Sequence, residues 1–214
     1  NNPGATLFIF PFDTENVLPE TACREIGVRL RNLSARTLLF LRKIEEIEYR
    51  LPNATEGAYL RDVKMRGSAR QVTVIGQNNG KEEEENWLIF ERSVPVPDNS
   101  ERVRVEAAFR LVSKSKDGKK FEWIEGYRKA PLIVYFPTEK ETNLGFLVQG
   151  PYRTTPARDN IPKDDAWNKT LVKETAALIG DILPEIKNLG LLSVSFLEAL
   201  PIRAEDFPPD SMFY

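Results

Sequence analysis

In 214 residues, 30 lysines and arginines face 32 aspartates and glutamates, so no global field favours nucleic acid or an anionic membrane surface, and any anion site must be local. Histidine is absent and Cys23 is the single cysteine. This removes Ser-His and Cys-His catalysis, His-ligated metals, cysteine zinc clusters and internal disulfides together, and fits a reducing, cytoplasmic setting.

The length supports a substantial core, because a chain of this size buries roughly 70% of its unfolded surface. The longest apolar runs, Leu38 to Leu41 and Leu132 to Phe136, are too short for a bilayer. No GxSxG, Walker-type GxxxxGK[ST] or GxGxxG occurs, so a self-contained hydrolase, P-loop enzyme or dinucleotide enzyme has no support.

In chain order, Ala5 to Phe12 (ATLFIFPF) is an apolar, strand-like piece that follows Asn1-Asn2-Pro3-Gly4 with nothing local to pair with. Pro19 suits the first turn of a helix, and Ala22, Ile26, Leu30 and Leu33 follow at helical spacing. The next hundred residues read as strands: Thr37 to Arg50, Ala58 to Arg66, Gln71 to Gly76, Trp87 to Arg92, Arg102 to Val112 and Phe121 to Ile124. Alternation is clearest where Val103, Val105, Ala107, Phe109 and Leu111 share one face and leave Arg104, Glu106 and Arg110 on a wet one. Asn78-Asn79-Gly80 and Lys116-Asp117-Gly118 read as hairpin turns. Lys81 to Glu85 (KEEEE) reads as solvated loop past a turn rather than as a metal site.

Leu132 to Phe136 (LIVYF) is expected to be a strand buried on both faces, and Leu144 to Val148 another short strand. Asp164 or Asp165 can then cap a helix with the apolar stripe Trp167, Leu171, Leu178, Ile182 and Ile186, ending near Asn188-Leu189-Gly190. Trp167 is expected to anchor the core at the helix start.

Between the last strand and this helix lies QGPYRTTPARDNIPKDDAWN, Gln149 to Asn168, which carries Arg153, Arg158 and Lys163. Pro156 and Pro162 forbid regular structure there and are expected to hold the backbone extended. The helix amino end facing the loop adds its free N–H groups and dipole to the attraction for an anion such as phosphate. The competing reading is a solvated, charge-rich connection in which Arg158 pairs with Asp159 or Asp165.

The order of a GAT-type strand (GATLFIFPF), an amphipathic helix, a strand-rich region, LIVYFPTEKETNLGFLVQGPYRTTPARDNIP and a long helix resembles GHKL-superfamily ATPases. These include the heat-shock chaperones, gyrase and histidine kinases, and the resemblance is strongest to large, sacsin-related, chaperone-like members. It extends over nearly the whole chain but is specific only in Gly4 to Phe12 and Ile133 to Asn168. In the heat-shock chaperones a middle-domain loop between a strand and a helix offers an arginine to the γ-phosphate of ATP. Thr155-Pro156-Ala157-Arg158-Asp159 looks like that loop, which puts Arg158 in the arginine position, with Arg153 and Lys163 as further candidates for the nucleotide and Asp159 as an orienting group. A guanidinium suits the task because it stays charged and forks two hydrogen bonds onto phosphate oxygens.

The family's asparagine-bearing helix and DxGxG loop, which hold magnesium and adenine, are missing from this chain, so it is not expected to be an ATPase alone. The resemblance implies residues 1–12 as the last strand of a truncated ATP-binding domain, 13–36 as a linker helix, 37–190 as a middle or transducer-like α+β domain, and 191–214 as a C-terminal helical segment. The expected fold is a mixed or antiparallel sheet packed with helices. No cofactor is expected in this segment itself, with ATP and Mg in the full-length protein. Implied partners are the upstream ATP-binding domain and protein clients, with a dimer possible by strand pairing and no membrane. The alternative is a stand-alone protein- or nucleic-acid-interaction module with a basic loop. A further alternative, an enzyme using Asp159 with Asp164, needs a deep pocket at the loop.

Overall fold

The computed structural model describes residues 8, 9, 11, 18–52, 55–78, 80–97, 99–207, 212 and 213. The expected strand Ala5 to Phe12 lies outside them apart from Phe8, Ile9 and Pro11. Helix α1 is Pro19–Arg31, and a short 3-10 turn spans Ala35–Leu38. The strands are β1 Glu46–Arg50, β2 Glu56–Arg66, β3 Ala69–Asn78, β4 Lys81–Pro95, β5 Arg102–Lys116, β6 Lys119–Glu125, β7 Pro131–Val134, β8 Phe136–Glu141 and β9 Leu147–Gln149. Helices α2, Ala166–Asn188, and α3, Val194–Ala199, follow. The result is an α+β fold, a mixed sheet packed with helices and ending in helices. No helix among the described residues is long and apolar enough to cross a membrane.

Neighbouring strands run in the order β1-β2-β3-β4-β5-β9-β7-β8, with β6 pairing the far half of β5. Every pairing is antiparallel except β7 with β9. The two-residue turn between Lys116 and Lys119 works because Asp117 and Gly118 both adopt positive φ, +51° and +74°, matching the right-handed twist of the hairpin arms.

The register divides the sheet into two faces. On one, Phe90 lies opposite Ala107, Leu88 opposite Phe109, and Ala107 opposite Val148. There Leu171, Leu178, Ile182 and Ile186 of α2 complete the core, each worth roughly 1.5–3 kcal/mol when fully buried. Arg92 of β4 ties α2 to the sheet through Glu174 at 2.6 Å and Asp181 at 2.5 Å. Helix α3 docks alongside, its Phe196 ring 5.6 Å from that of Phe109.

The other face was expected to be wet; Arg104 is exposed there and Arg110 partly so, whereas Glu106 is not. Glu106 is only 3% exposed there, because Leu39 and Phe40 after the 3-10 turn lie over Val72, Trp87, Ile89 and Ala108. Thr37 to Arg50 is therefore not one strand. Its apolar half folds into a cap on the sheet, with Ser34 accepting from the Arg36 amide, and only Glu46–Arg50 pairs.

Lys81 to Glu85 likewise belongs to strand rather than loop, since β4 starts directly after Gly80 and pairs residue by residue with β3. Residues 81 to 84 are exposed, whereas Glu85 is half-buried and meets Arg36. LIVYF is broken: Tyr135 takes φ +62°, β8 begins at Phe136, and both aromatic rings are more than half exposed. Within β7 the expected burial on both faces holds, with Leu132 and Val134 in the core under α2 and Ile133 in the cluster on the other face.

Candidate functional site

The loop from Gly150 to Asp165 is a built structure. Its backbone does not stay extended. Thr155 O accepts from the Arg158 amide at 2.9 Å, closing a turn with Pro156 at the second position, where a fixed φ near −65° is favoured. Thr155 also accepts from the Asn160 amide and donates to Asp159, so Asp159 serves the turn and does not pair with Arg158. Ile161 is buried and staples the loop to the main core.

Two residues that sequence reasoning left without a role hold the loop against α2. Asn168, fully buried in the first turn of the helix, accepts from the Arg153 amide at 2.9 Å and donates to the carbonyls of Arg153 and Pro162 at 3.0 and 3.3 Å. Tyr152 is buried with its hydroxyl 3.1 Å from Thr175 Oγ1, and burial pushes its phenol well above the ordinary range. Trp167 is half-buried against the core as expected, and its indole donates to Pro151 O at 3.1 Å.

The helix amino end is already capped by this chain's own carboxylate. Asp165 caps it, accepting from the Asn168 amide at 2.9 Å, and Arg153 reaches the same carboxylate at 3.1 Å. The hydrogen bond from the Asn168 backbone, helped by the Arg153 guanidinium, holds the Asp165 carboxyl below its usual value. Arg153 is therefore spent on the cap, and Lys163 lies exposed in the turn before it.

Arg158 takes a different direction. Its backbone is left-handed, φ +59°, and its carbonyl accepts from the Glu139 amide of β8 at 3.1 Å. One guanidinium nitrogen, Nη2, donates to the carbonyls of Val134 and Phe136, each at 3.0 Å, on either side of the Tyr135 corner. Nε and Nη1 have no hydrogen-bond partner among the described residues, so one edge of a half-buried, fixed guanidinium stays uncommitted.

A second charged constellation lies on the opposite face of the sheet from α2. Glu91, Glu106 and Gln149 stand directly opposite one another across β4, β5 and β9. Like charges facing across strands destabilise a sheet unless countered. Arg42 bonds both Glu91 and Glu106, at 2.7 Å to the latter; Arg70 bonds Glu106 and lies 3.6 Å from Glu91; Arg104 lies 3.3 Å from Glu91. Strand alternation identified Glu106 and Arg104 as neighbours on one face, but Arg42 comes from the connection before β1, and no local signal marks it.

No family model, no curated protein and no solved structure matches the chain.

Proposed function

We propose that this chain is the middle, transducer-like segment of a chaperone-like GHKL ATPase, and that Arg158 contacts the γ-phosphate of an ATP held by another domain. The observation that carries this reading is the Arg158 guanidinium, aimed by the Val134 and Phe136 carbonyls and left open along Nε and Nη1. A guanidinium with Nη2 fixed and the three N–H groups of Nε and Nη1 spare presents a fork to phosphate without first paying to order itself.

The loop is held by Asn168 and Ile161, so Arg158 moves with the sheet as one body. Docking of the sheet onto the nucleotide-holding domain then delivers the guanidinium, and ATP state is read out as domain position, which in turn sets partner or client binding. ATP and its magnesium belong to the other domain in this scheme. Arginines supplied in this way accelerate other phosphoryl transfers roughly 10³ to 10⁵-fold.

The test is ATP turnover by a protein that joins this segment to its ATP-binding domain. Arg158→Ala is expected to lower kcat by about 10²-fold or more with little change in ATP affinity. Unchanged turnover removes the role.

A further inference from the structure

Among the described residues, the buried side-chain polar atoms without a hydrogen-bond partner are Arg61 Nε, Arg70 Nε and Gln149 Oε1. All three belong to one region. Arg70 bonds Glu106, Gln149 stands opposite Glu106, and Arg61 donates to the carbonyls of Leu41 and Arg42. Buried polar atoms are ordinarily satisfied; Arg70 Nε still lies 3.6 Å from Glu91, and of the three residues only Gln149 lines the depression beside them, so its Oε1 is the exception that bears on a ligand.

The place is concave. A depression of about 410 Å³ opens between the connection carrying Arg42 and Lys43, the start of β5 at Arg102 and Arg104, and the Tyr135 corner, with Glu106 and Gln149 lining it below. Gln149 is 6% exposed.

Its charge does not balance. Arg42, Arg70 and Arg104 share the two carboxylates Glu91 and Glu106, leaving one positive charge over, and Lys43 and Arg102 add two more at the rim. Burial first, and then repulsion from Arg42 and Arg104, pulls the Arg70 guanidinium below its ordinary value despite Glu106 and Glu91. Burial, with Arg70 and Arg42 adding to it, does the same to Arg61. An excess of positive charge beside an unpartnered acceptor suits a phosphate monoanion, whose P–OH can donate, better than a carboxylate, and arginine forks suit its anionic oxygens. The other wall is apolar, with Phe40, Ile44 and an outward-facing Tyr135.

We propose that this depression binds a phosphate monoester, its phosphate on Lys43, Arg104 and the free edge of Arg42, a P–OH or ligand hydroxyl on Gln149 Oε1, and its organic body against Phe40, Ile44 and Tyr135. The site is separate from the Arg158 fork and does not depend on the nucleotide reading. Tyr135 nevertheless links them, because the two carbonyls that Arg158 holds are those flanking Tyr135.

The experiment is calorimetric titration and thermal melting of the chain with phenyl phosphate, inorganic phosphate and phenol at constant ionic strength. Phenyl phosphate is expected to bind saturably and more tightly than inorganic phosphate, with phenol inert. The Lys43→Ala/Arg104→Ala double variant alters two exposed side chains, leaves Arg42 and Arg70 on Glu91 and Glu106, and is expected to bind about tenfold or more weakly. Gln149→Leu removes the unpartnered amide, and it is expected to raise the melting temperature of the free protein while weakening phenyl phosphate. No saturable binding of phenyl phosphate, or equal affinity in the double variant, overturns the proposal.

Discussion

Arg153 and Asn168 hold each other by two reciprocal hydrogen bonds, the Arg153 amide donating to Asn168 Oδ1 at 2.9 Å and Asn168 Nδ2 donating back to the Arg153 carbonyl at 3.0 Å. A side-chain amide here imitates a strand partner for a loop that has none, and it does so from a fully buried position. Asn168→Asp keeps the shape but turns the donor toward the Arg153 and Pro162 carbonyls into an acceptor. The expected cost is about 1–3 kcal/mol of stability, from buried carbonyls left unpaired. Urea unfolding measures it, and hydrogen exchange at the Arg153 amide should quicken in the same variant. A variant as stable as wild type would mean that the loop is held elsewhere.

Arg158 combines a side chain that needs arginine with a backbone that prefers glycine. At φ +59° a non-glycine residue carries a penalty of about 1 kcal/mol, which the two bonds to Val134 and Phe136 offset. Arg158→Ala loses the bonds and keeps the penalty, whereas Arg158→Gly loses both. Both variants are expected to be less stable than wild type, with Gly the milder by about 1 kcal/mol. Denaturant melts of the pair decide it, and an alanine variant at least as stable as the glycine one contradicts the account.

These residues also mark how far local reasoning reaches. The alternation of β5, the Asp117-Gly118 turn and the Asp165 cap of α2 were legible because each depends on residues within a few positions of one another. Arg158 was legible as a cation on a loop, but its partners at 134 and 136 were not, since they are brought near by the return of β7 and β8. Tyr135 shows the limit most clearly. A continuous apolar run suggests a continuous strand, yet a corner stabilised by a distant arginine breaks it and turns two aromatic rings outward. Glu106 read as solvent-facing because its sequence neighbours are charged. What buries it is Leu39, Phe40 and Arg42, more than sixty residues away.

Glu85 gives the fold a component of acid sensitivity. Burial raises its pKa, but the bidentate Arg36 fork at 2.5 and 2.6 Å and the Trp87 indole at 3.1 Å outweigh this, and the carboxyl titrates below its ordinary value. A folded value below the unfolded one means that the stabilisation is fully present above the unfolded pKa, about 4.5, and is lost as pH falls through the folded value. Glu122, flanked by Lys120 and Arg66, and Asp165 act in the same direction. Glu85→Gln is therefore expected to flatten, but not abolish, the loss of stability below about pH 5, measured as urea midpoints from neutral to acid pH. An unchanged acid slope would remove Glu85 from the account.

Gly145 decides whether α3 can sit on the sheet. Its amide donates to the Ala199 carbonyl at 3.0 Å, and its own carbonyl accepts from the Tyr127 amide at 2.8 Å, so the end of α3 meets backbone with nothing between. A Cβ added at this position would stand 2.5 Å from Ala199 Cα and 2.7 Å from Ala199 O, both backbone atoms that cannot swing aside. Gly145→Ala must therefore push α3 outward, lengthening the bond to Ala199 and loosening Phe196 from Phe109 and the core. The expected loss is about 2–4 kcal/mol, combining overpacking with partial exposure of one large aromatic. Two readouts separate this from a general weakening: faster hydrogen exchange confined to residues 194–200, and proteolytic cutting near α3 while β4 and β5 stay protected. Ala199→Gly in the same chain should recover only part of the loss, because it removes the Cβ contact at 2.9 Å but leaves the Cα and carbonyl clashes in place. Full recovery would show that side-chain crowding, rather than backbone approach, sets the requirement for glycine.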